Sequence, residues 1–253
     1  MSMITIKSPR EIELMRVSGK ITAAARSVGR VMVYPGVTTQ EINNEIHKLI
    51  TKAGAAPSFL GYGGFPGSAC ISVNDEVIHG IPGKRVINEG DIVSVDVGAY
   101  IGGFHGDCCG TFGAGEISEE AKKLIEVTRQ SFFEGIKFAR QGYRVSDISH
   151  AIQEYVEGFG YSLVREYVGH GIGRNLHEAP EVPNFGEPGH GPRLVKGMTL
   201  AIEPMVIMGK KEVLVLDDDW TVVTADGSLS AHYENTVLIT DGEPEILTIA
   251  EDL

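Results

Sequence analysis

Four stretches of the chain carry apolar residues at helical spacing, and the intervals between them hold short apolar or alternating runs. In "SPREIELM", Ser8 can cap a helix, Pro9 fits its first position and Glu11 stands where a capping box needs an acid. Ile12, Met15, Ile21, Ala25 and Val28 follow as a stripe. "TTQEINNEIHKLITKAG" repeats the device, with Thr38 and Glu41 as the box, Ile42, Ile46, Leu49 and Ile50 as the stripe and Gly54 as the stop. A third helix is predicted from Ser118 to Gly142 and a fourth from Ser146 through "DISHAIQEYVEGFG". Strands are predicted in "CISVNDEVIHGIP", "DIVSVDVGAY", "FHGDCCGTF", "LAIEPMVIM", "EVLVL", "WTVVTA" and "AHYENTVLIT".

The order is therefore helix, helix, strands, then helix, helix, strands. An offset of 106 lays the second helix on the fourth: Gly36 falls on Gly142, Ile42 on Ile148, Ile46 on Ile152, Ile50 on Val156 and Gly54 on Gly160. Two similar αβ halves packed as one domain over residues 1–253, with the strands gathered in the middle, is the predicted organisation.

Composition narrows the partners. The chain has 253 residues, 42% hydrophobic and 22% charged, an ordinary globular mixture able to bury a core. A formal charge of −12 with no basic run gives no footprint for nucleic acid or anionic membrane, and suits cations or amines as ligands. The start, "MSMITIKSPREIELM", lacks the apolar core and cleavage site of a signal peptide, and nothing reaches the length of a membrane span, so a cytoplasmic location is expected. Three cysteines, two of them adjacent and none in a CxxC pattern, are expected to be reduced thiols.

Four acids stand out because they interrupt apolar strands. Asp96 lies in the middle of "IVSVDVGAY" and Asp107 follows the turn in "FHGDCCGTF". A loop at Ile101-Gly102 would set them face to face, and one at Gly102-Gly103 would make them diagonal neighbours on the same face. Glu203 in "LAIEPMVIM" and Glu234 in "SAHYENTVLIT" repeat the anomaly, and the offset of 106 carries Asp96 to within one residue of Glu203. Carboxylates crowded into a poorly solvated site cannot all ionise without cations, and divalent ions resolve the conflict. In "GHGIGRNLHEAP", His170 sits between glycines that are expected to let its backbone approach a crowded site; His177 lies seven residues on. Four carboxylates and one imidazole, without thiolate, suit Mn, Fe, Co or Zn, and their charge matches two divalent ions sharing a water nucleophile roughly 3.5 to 4 Å apart.

Together "CISVNDEVIHGIP", "VDVGAYIGGFHGD", "GHGIGRNLHEAP", "AIEPMVIMG" and "WTVVTADGSLSAHYENTVLITD" resemble the bacterial type I methionine aminopeptidases over essentially the whole chain. The resemblance implies the α+β pita-bread fold, two pseudo-symmetric αβ halves with a central curved antiparallel sheet flanked by helices. It implies that Asp96 serves one metal ion, His170 and Glu203 the other, and that Asp107 and Glu234 bridge. His79 and His177 match the non-ligand active-site histidines, and Glu203 doubles as the proton shuttle. Phe59, Tyr62, Phe65, Cys70, Leu176 and Trp220 match an apolar pocket for the thioether of methionine.

The implied activity is removal of the initiator methionine from nascent proteins when the second residue is small, by metal-activated water attack on the first peptide bond. The chain is then a monomer acting on N-terminal methionyl peptides, and any ribosome contact runs through the catalytic domain itself. Its own Met1-Ser2 start could be a substrate. Three departures from the family pattern are legible: Cys108 and Cys109 replace threonine or serine, His232 replaces glutamine and Asn235 replaces histidine. By strand alternation Cys109 shares a face with Asp107 and Cys108 points away. The rivals are a proline-specific aminopeptidase or dipeptidase on the same fold, and a peptide-binding pita-bread protein without catalysis.

Overall fold

A computed structural model describes residues 4–249, so Met1 and Ser2, the self-processing candidates, lie outside the described residues. Helices α1 (Pro9–Met32) and α2 (Thr39–Lys52) precede β1 (Ala56–Pro57), β2 (Ala69–Val73), β3 (Glu76–Ile78), β4 (Ile92–Ile101) and β5 (Phe104–Gly113). Helices α3 (Glu119–Ile136) and α4 (Val145–Gly158) then precede β6 (Ser162–Leu163), β7 (Gly169–Gly171), β8 (Glu178–Val182), β9 (Thr199–Ile202) and β10 (Met205–Ile207). The chain continues through β11 (Val213–Val215), β12 (Val222–Thr224), β13 (Ser230–His232), β14 (Glu234–Leu238) and β15 (Glu245–Ile246).

The duplication is physical. The offset of 106 carries Thr39–Lys52 onto Val145–Gly158 end to end. Gly36 and Gly142 share left-handed backbone, with φ of 95° and 100°, as do Gly54 and Gly160 at 77° and 79°. In one half Ile42, Ile46 and Ile50 pack on Val93, Val95 and Val97; in the other Ile148, Ile152 and Val156 pack with Leu200, Ile202 and Val206. Each fully buried aliphatic side chain contributes about 1.5 to 3 kcal/mol, so the paired cores account for why the two halves hold the sheet between them.

That sheet runs β1-β4-β5-β14-β9-β7-β8, with β2 also paired to β4 and β15 to β14, and its named pairs are antiparallel. Two three-stranded sheets, β13-β10-β6 and β11-β12-β3, flank it. Both predicted capping boxes form: the Ser8 and Glu11 backbone N–H groups bond to each other's side chains at 2.9 and 3.4 Å, and Thr38 and Glu41 do the same at 2.8 and 3.2 Å.

Four expectations are corrected. The third helix stops at Ile136, not Gly142, because Phe138 and Ala139 donate to Gly135 and Ile136 in a tightened turn and Arg140 pairs with Thr240. The fourth begins at Val145, one residue before Ser146, because the Asp147 carboxylate accepts from the Arg144 N–H at 2.7 Å. "LAIEPMVIM" and "AHYENTVLIT" each split into two strands belonging to different sheets. The glycines of "GHG" allow the expected close approach: a Cβ at Gly169 would meet the Ala201 carbonyl oxygen at 2.4 Å and Glu203 Cγ at 3.3 Å, and one at Gly171 the Ala179 oxygen at 2.2 Å. His170 thus sits on a short strand inserted between β8 and β9, one not among the predicted strands.

Candidate metal centre

The hairpin of β4 and β5 turns through Gly102-Gly103, with φ of 63° and 88°, and pairs Ile101 with Phe104. This is the second of the two registers allowed by the sequence. Asp107 lies opposite Gly98, Asp96 lies opposite Cys109, and the two aspartates are diagonal neighbours on one face. On that face the pairings Cys70 to Asp96, Asp96 to Cys109 and Cys109 to Glu234 draw a straight row across β2, β4, β5 and β14. Continuing the β14–β9 register by one residue sets Glu234 beside Glu203. Four acids distant in sequence therefore converge through strand register alone.

Their environment suits cations. Asp107 and Glu234 are buried, and one oxygen each of Asp96, Asp107 and Glu234 has no hydrogen-bond partner in the protein. Ligand atoms of Asp107, His170 and Glu234 lie within 4.8 Å of one another. Burial pushes the Asp96 carboxyl up to about 7, and Asp107, Glu203 and Glu234 are raised well above the carboxylate range by burial and then by each other's charge. Burial pulls His170 down to about 3, so its ring is neutral; Nδ1 lies 2.8 Å from the Gly171 carbonyl oxygen, which fixes the proton there and leaves Nε2 free as a ligand. Hard oxygen donors with one imidazole and unsatisfied buried oxygens fit divalent metal ions.

All thirteen residues expected at the site line one cavity of about 250 Å³: Asp96, Asp107, His170, Glu203 and Glu234 on one side, Phe59, Tyr62, Phe65, Cys70, Leu176, Trp220, His79 and His177 on the other. Trp220 meets Phe65 edge-on at 5.1 Å and His79 at 6.1 Å. The His170 and His177 rings are 4.2 Å apart, and His177 Nδ1 is 2.8 Å from the Tyr62 hydroxyl. Burial lowers His79 to about 4 and lowers His177 as well, so both are neutral near pH 7. His79 has φ of 59°, a conformation costing a non-glycine residue about 1 to 3 kcal/mol, which the fold tolerates to aim the ring inward. Phe59 and Leu176 also belong to the core beneath, so each packs and lines at once.

Sequence reasoning missed Ile78, Tyr167 and Val168 on the cavity wall; Tyr167, edge-on to His79 at 5.9 Å, had only its nearness to His170 as a signal. It also missed Arg26. From α1, behind the sheet, Arg26 donates to the Cys109, Glu234 and Thr248 carbonyl oxygens at 3.3, 3.1 and 3.2 Å, and to Asn235 Oδ1 at 3.1 Å. Asn235 therefore turns away from the cavity and ties β14 to the helix, which accounts for that departure. Cys109 stays between Asp96 and Glu234 while Cys108 joins the N-terminal core, as alternation required, and all three cysteines are free and buried.

Comparison with known proteins bears on the family and the fold. The chain matches the description "Metallopeptidase family M24" over residues 13–241. It is 59% identical over 250 residues to a methionine aminopeptidase of Clostridium acetobutylicum, covering 98% of this chain and 100% of the relative. The crystal structure of a methionine aminopeptidase from Thermotoga maritima superposes with a TM-score of 0.96 at 50% identity, covering 97% of this chain and 99% of the other. A prolidase from Pyrococcus furiosus shares the fold at a TM-score of 0.80 and 23% identity, with 98% of this chain and 66% of that one covered.

Proposed function

The chain belongs to metallopeptidase family M24, and from that membership we propose that it removes the N-terminal methionine of peptides and nascent chains whose second residue is small. The observation carrying this reading is the convergence of four acids, three of them with a buried oxygen that has no hydrogen-bond partner, and a neutral imidazole on the wall of one aromatic-lined cavity. Two divalent ions are the proposed occupants: Asp96 would help hold one, His170 and Glu203 the other, and Asp107 and Glu234 would serve both. When bound, the ions supply Lewis acidity toward the scissile carbonyl and the attacking water.

The remaining work falls to side chains. Phe65, Trp220 and Cys70 surround the thioether of the substrate's methionine. With the Tyr62 hydroxyl donating to Nδ1, His177 presents Nε2–H to the cavity, and His79 faces it from the β3 side; both donate to the peptide as charge develops on its oxygen. Glu203 takes the proton of the attacking water and passes it to the departing amine. A wider cavity of about 940 Å³ shares Val168, His170 and His177 with the first and offers the rest of the peptide a way out. As part of the same proposal the chain acts as a cytoplasmic monomer with transient ribosome contact.

The test strips metal with a chelator, restores Mn, Fe, Co or Zn singly, and assays Met-Ala-Ser, Met-Lys-Ser and Ala-Pro-Ser peptides. Metal-dependent cleavage confined to the first is expected. Turnover of Ala-Pro-Ser would instead support the proline-specific reading, and binding without turnover the non-catalytic one.

A further inference from the structure

Glu203 lies between two imidazoles. Its Oε1 is 3.6 Å from His170 Nε2 and its Oε2 is 3.8 Å from His232 Nε2. His170 lines the cavity, whereas His232 is not among the lining residues. The His232 residue is only 2% exposed, and neither ring nitrogen has a partner in the protein. A neutral imidazole carries one donor and one acceptor, and a buried polar atom left unpaired costs about 1 to 3 kcal/mol. An apolar residue would avoid that cost, so the ring's position calls for an explanation.

The backbone holds the ring where it is. His232 pairs with Met205, two residues past Glu203; its N–H donates to Thr111 Oγ1 at 2.9 Å and its carbonyl oxygen accepts from the same hydroxyl at 2.9 Å. The two atoms stand 3.8 Å apart, and closing that gap by less than about 1 Å would make a hydrogen bond. No other ionic partner approaches that oxygen among the described residues.

We infer that His232 is a positioning residue: it donates Nε2–H to Oε2 of Glu203, so that Oε1 stays turned toward His170 and the cavity. The inference rests on the metal-centre reading above. A carboxylate at a strand break has freedom that a ladder residue lacks, and a donor that is not part of the cavity lining removes that freedom. Glutamine, uncharged and of similar reach, could still donate to Oε2, whereas leucine fills comparable space and cannot.

The experiment titrates Mn²⁺ calorimetrically into the metal-free wild type, His232→Gln and His232→Leu, with melting temperatures of the metal-free proteins measured alongside. The Leu variant is expected to lose about 10- to 100-fold in affinity for one ion, while the Gln variant keeps wild-type affinity. The melting temperatures show that each metal-free variant folds, and turnover of the Leu variant should fall through kcat with KM unchanged. Equal Mn²⁺ affinity in all three, or equal losses in both variants, overturns the inference alone. Failure of the wild type to take up Mn²⁺ overturns the metal-centre reading and the inference with it. Should the Leu variant not fold, the Gln variant decides, a tenfold loss of affinity there being the overturning result.

Discussion

The two halves of the molecule present their acids in different ways. In the N-terminal half Asp96 and Asp107 sit inside one uninterrupted hairpin, paired from Ile92–Gly113 to Ile101–Phe104, so the backbone ladder itself fixes both carboxylates. In the C-terminal half Glu203 stands in the gap between β9 and β10, which belong to different sheets, and Glu234 opens β14 just after the break at Tyr233. No ladder position holds Glu203. Pro204 keeps it extended, Asn184 donates to its carbonyl oxygen at 3.0 Å, and His232 stands 3.8 Å from its side chain. The hairpin acids are built as fixed anchors, whereas the acid assigned to carry a proton sits where the backbone is least constrained and is steadied by side chains instead.

Disabling one acid on each side tests that contrast most severely. Asp107→Asn removes a shared ligand from the rigid half and should abolish uptake of both ions, with kcat/KM falling by roughly three orders of magnitude. Glu203→Gln should lose one ion and most turnover but retain the other. Metal content of the purified variants, measured beside peptide cleavage, decides; two ions retained by Asp107→Asn would show that the hairpin is not the anchor.

A pH series on the metal-free protein probes the cost of gathering these acids. An acid whose pKa is higher folded than unfolded prefers its proton in the folded state. With Asp96 at about 7 and an unfolded aspartate near 4, the metal-free protein gains stability as pH falls through that window and loses it as pH rises. Acidification from about pH 8 to about pH 5 should raise its melting temperature on the order of 5 °C, and Asp107→Asn should flatten the slope. With saturating Mn²⁺ the trend should reverse, because the ligands must be deprotonated to bind. A metal-free melting temperature that falls steadily over the same range would mean that the four acids find protein partners.

The sequence was most informative where local rules and tertiary packing agree. The capping boxes at Ser8 and Thr38, the stripe of Ile42, Ile46 and Ile50, and the glycine turn of the hairpin each announce themselves within a few residues. The acids were legible as anomalies, charges in apolar strands, and the five ordered motifs supplied their roles. What stayed hidden depends on distant pairing. Whether "LAIEPMVIM" is one strand or two is decided by which sheet each half joins, and the shared face of Asp96, Cys109 and Glu234 is a matter of register. Arg26 reads as one more polar residue on an amphipathic helix until β5 and β14 place their carbonyls in its reach. His232 could be noticed as an unusual residue, but its distance to Glu203 exists only in three dimensions.

The smallest effect separates the duplicated helices at their entry. α2 starts on Thr38, whose hydroxyl accepts from the Glu41 N–H at 3.2 Å, while its twin α4 starts on Arg144, which has no side-chain oxygen to offer the Asp147 N–H and receives it only on its backbone carbonyl at 3.0 Å. Thr38→Ala should cost about 1 kcal/mol in urea unfolding, the usual worth of an N-cap hydroxyl. Arg144→Thr supplies the missing acceptor but gives up the exposed bond from the guanidinium to the Gly191 carbonyl oxygen at 2.6 Å, leaving a net gain of about 0.5 kcal/mol. A loss of stability in Arg144→Thr would mean that the arginine's grip on Gly191 matters more than the cap, and that the two helices have parted in function at the one turn where their sequences differ most in kind.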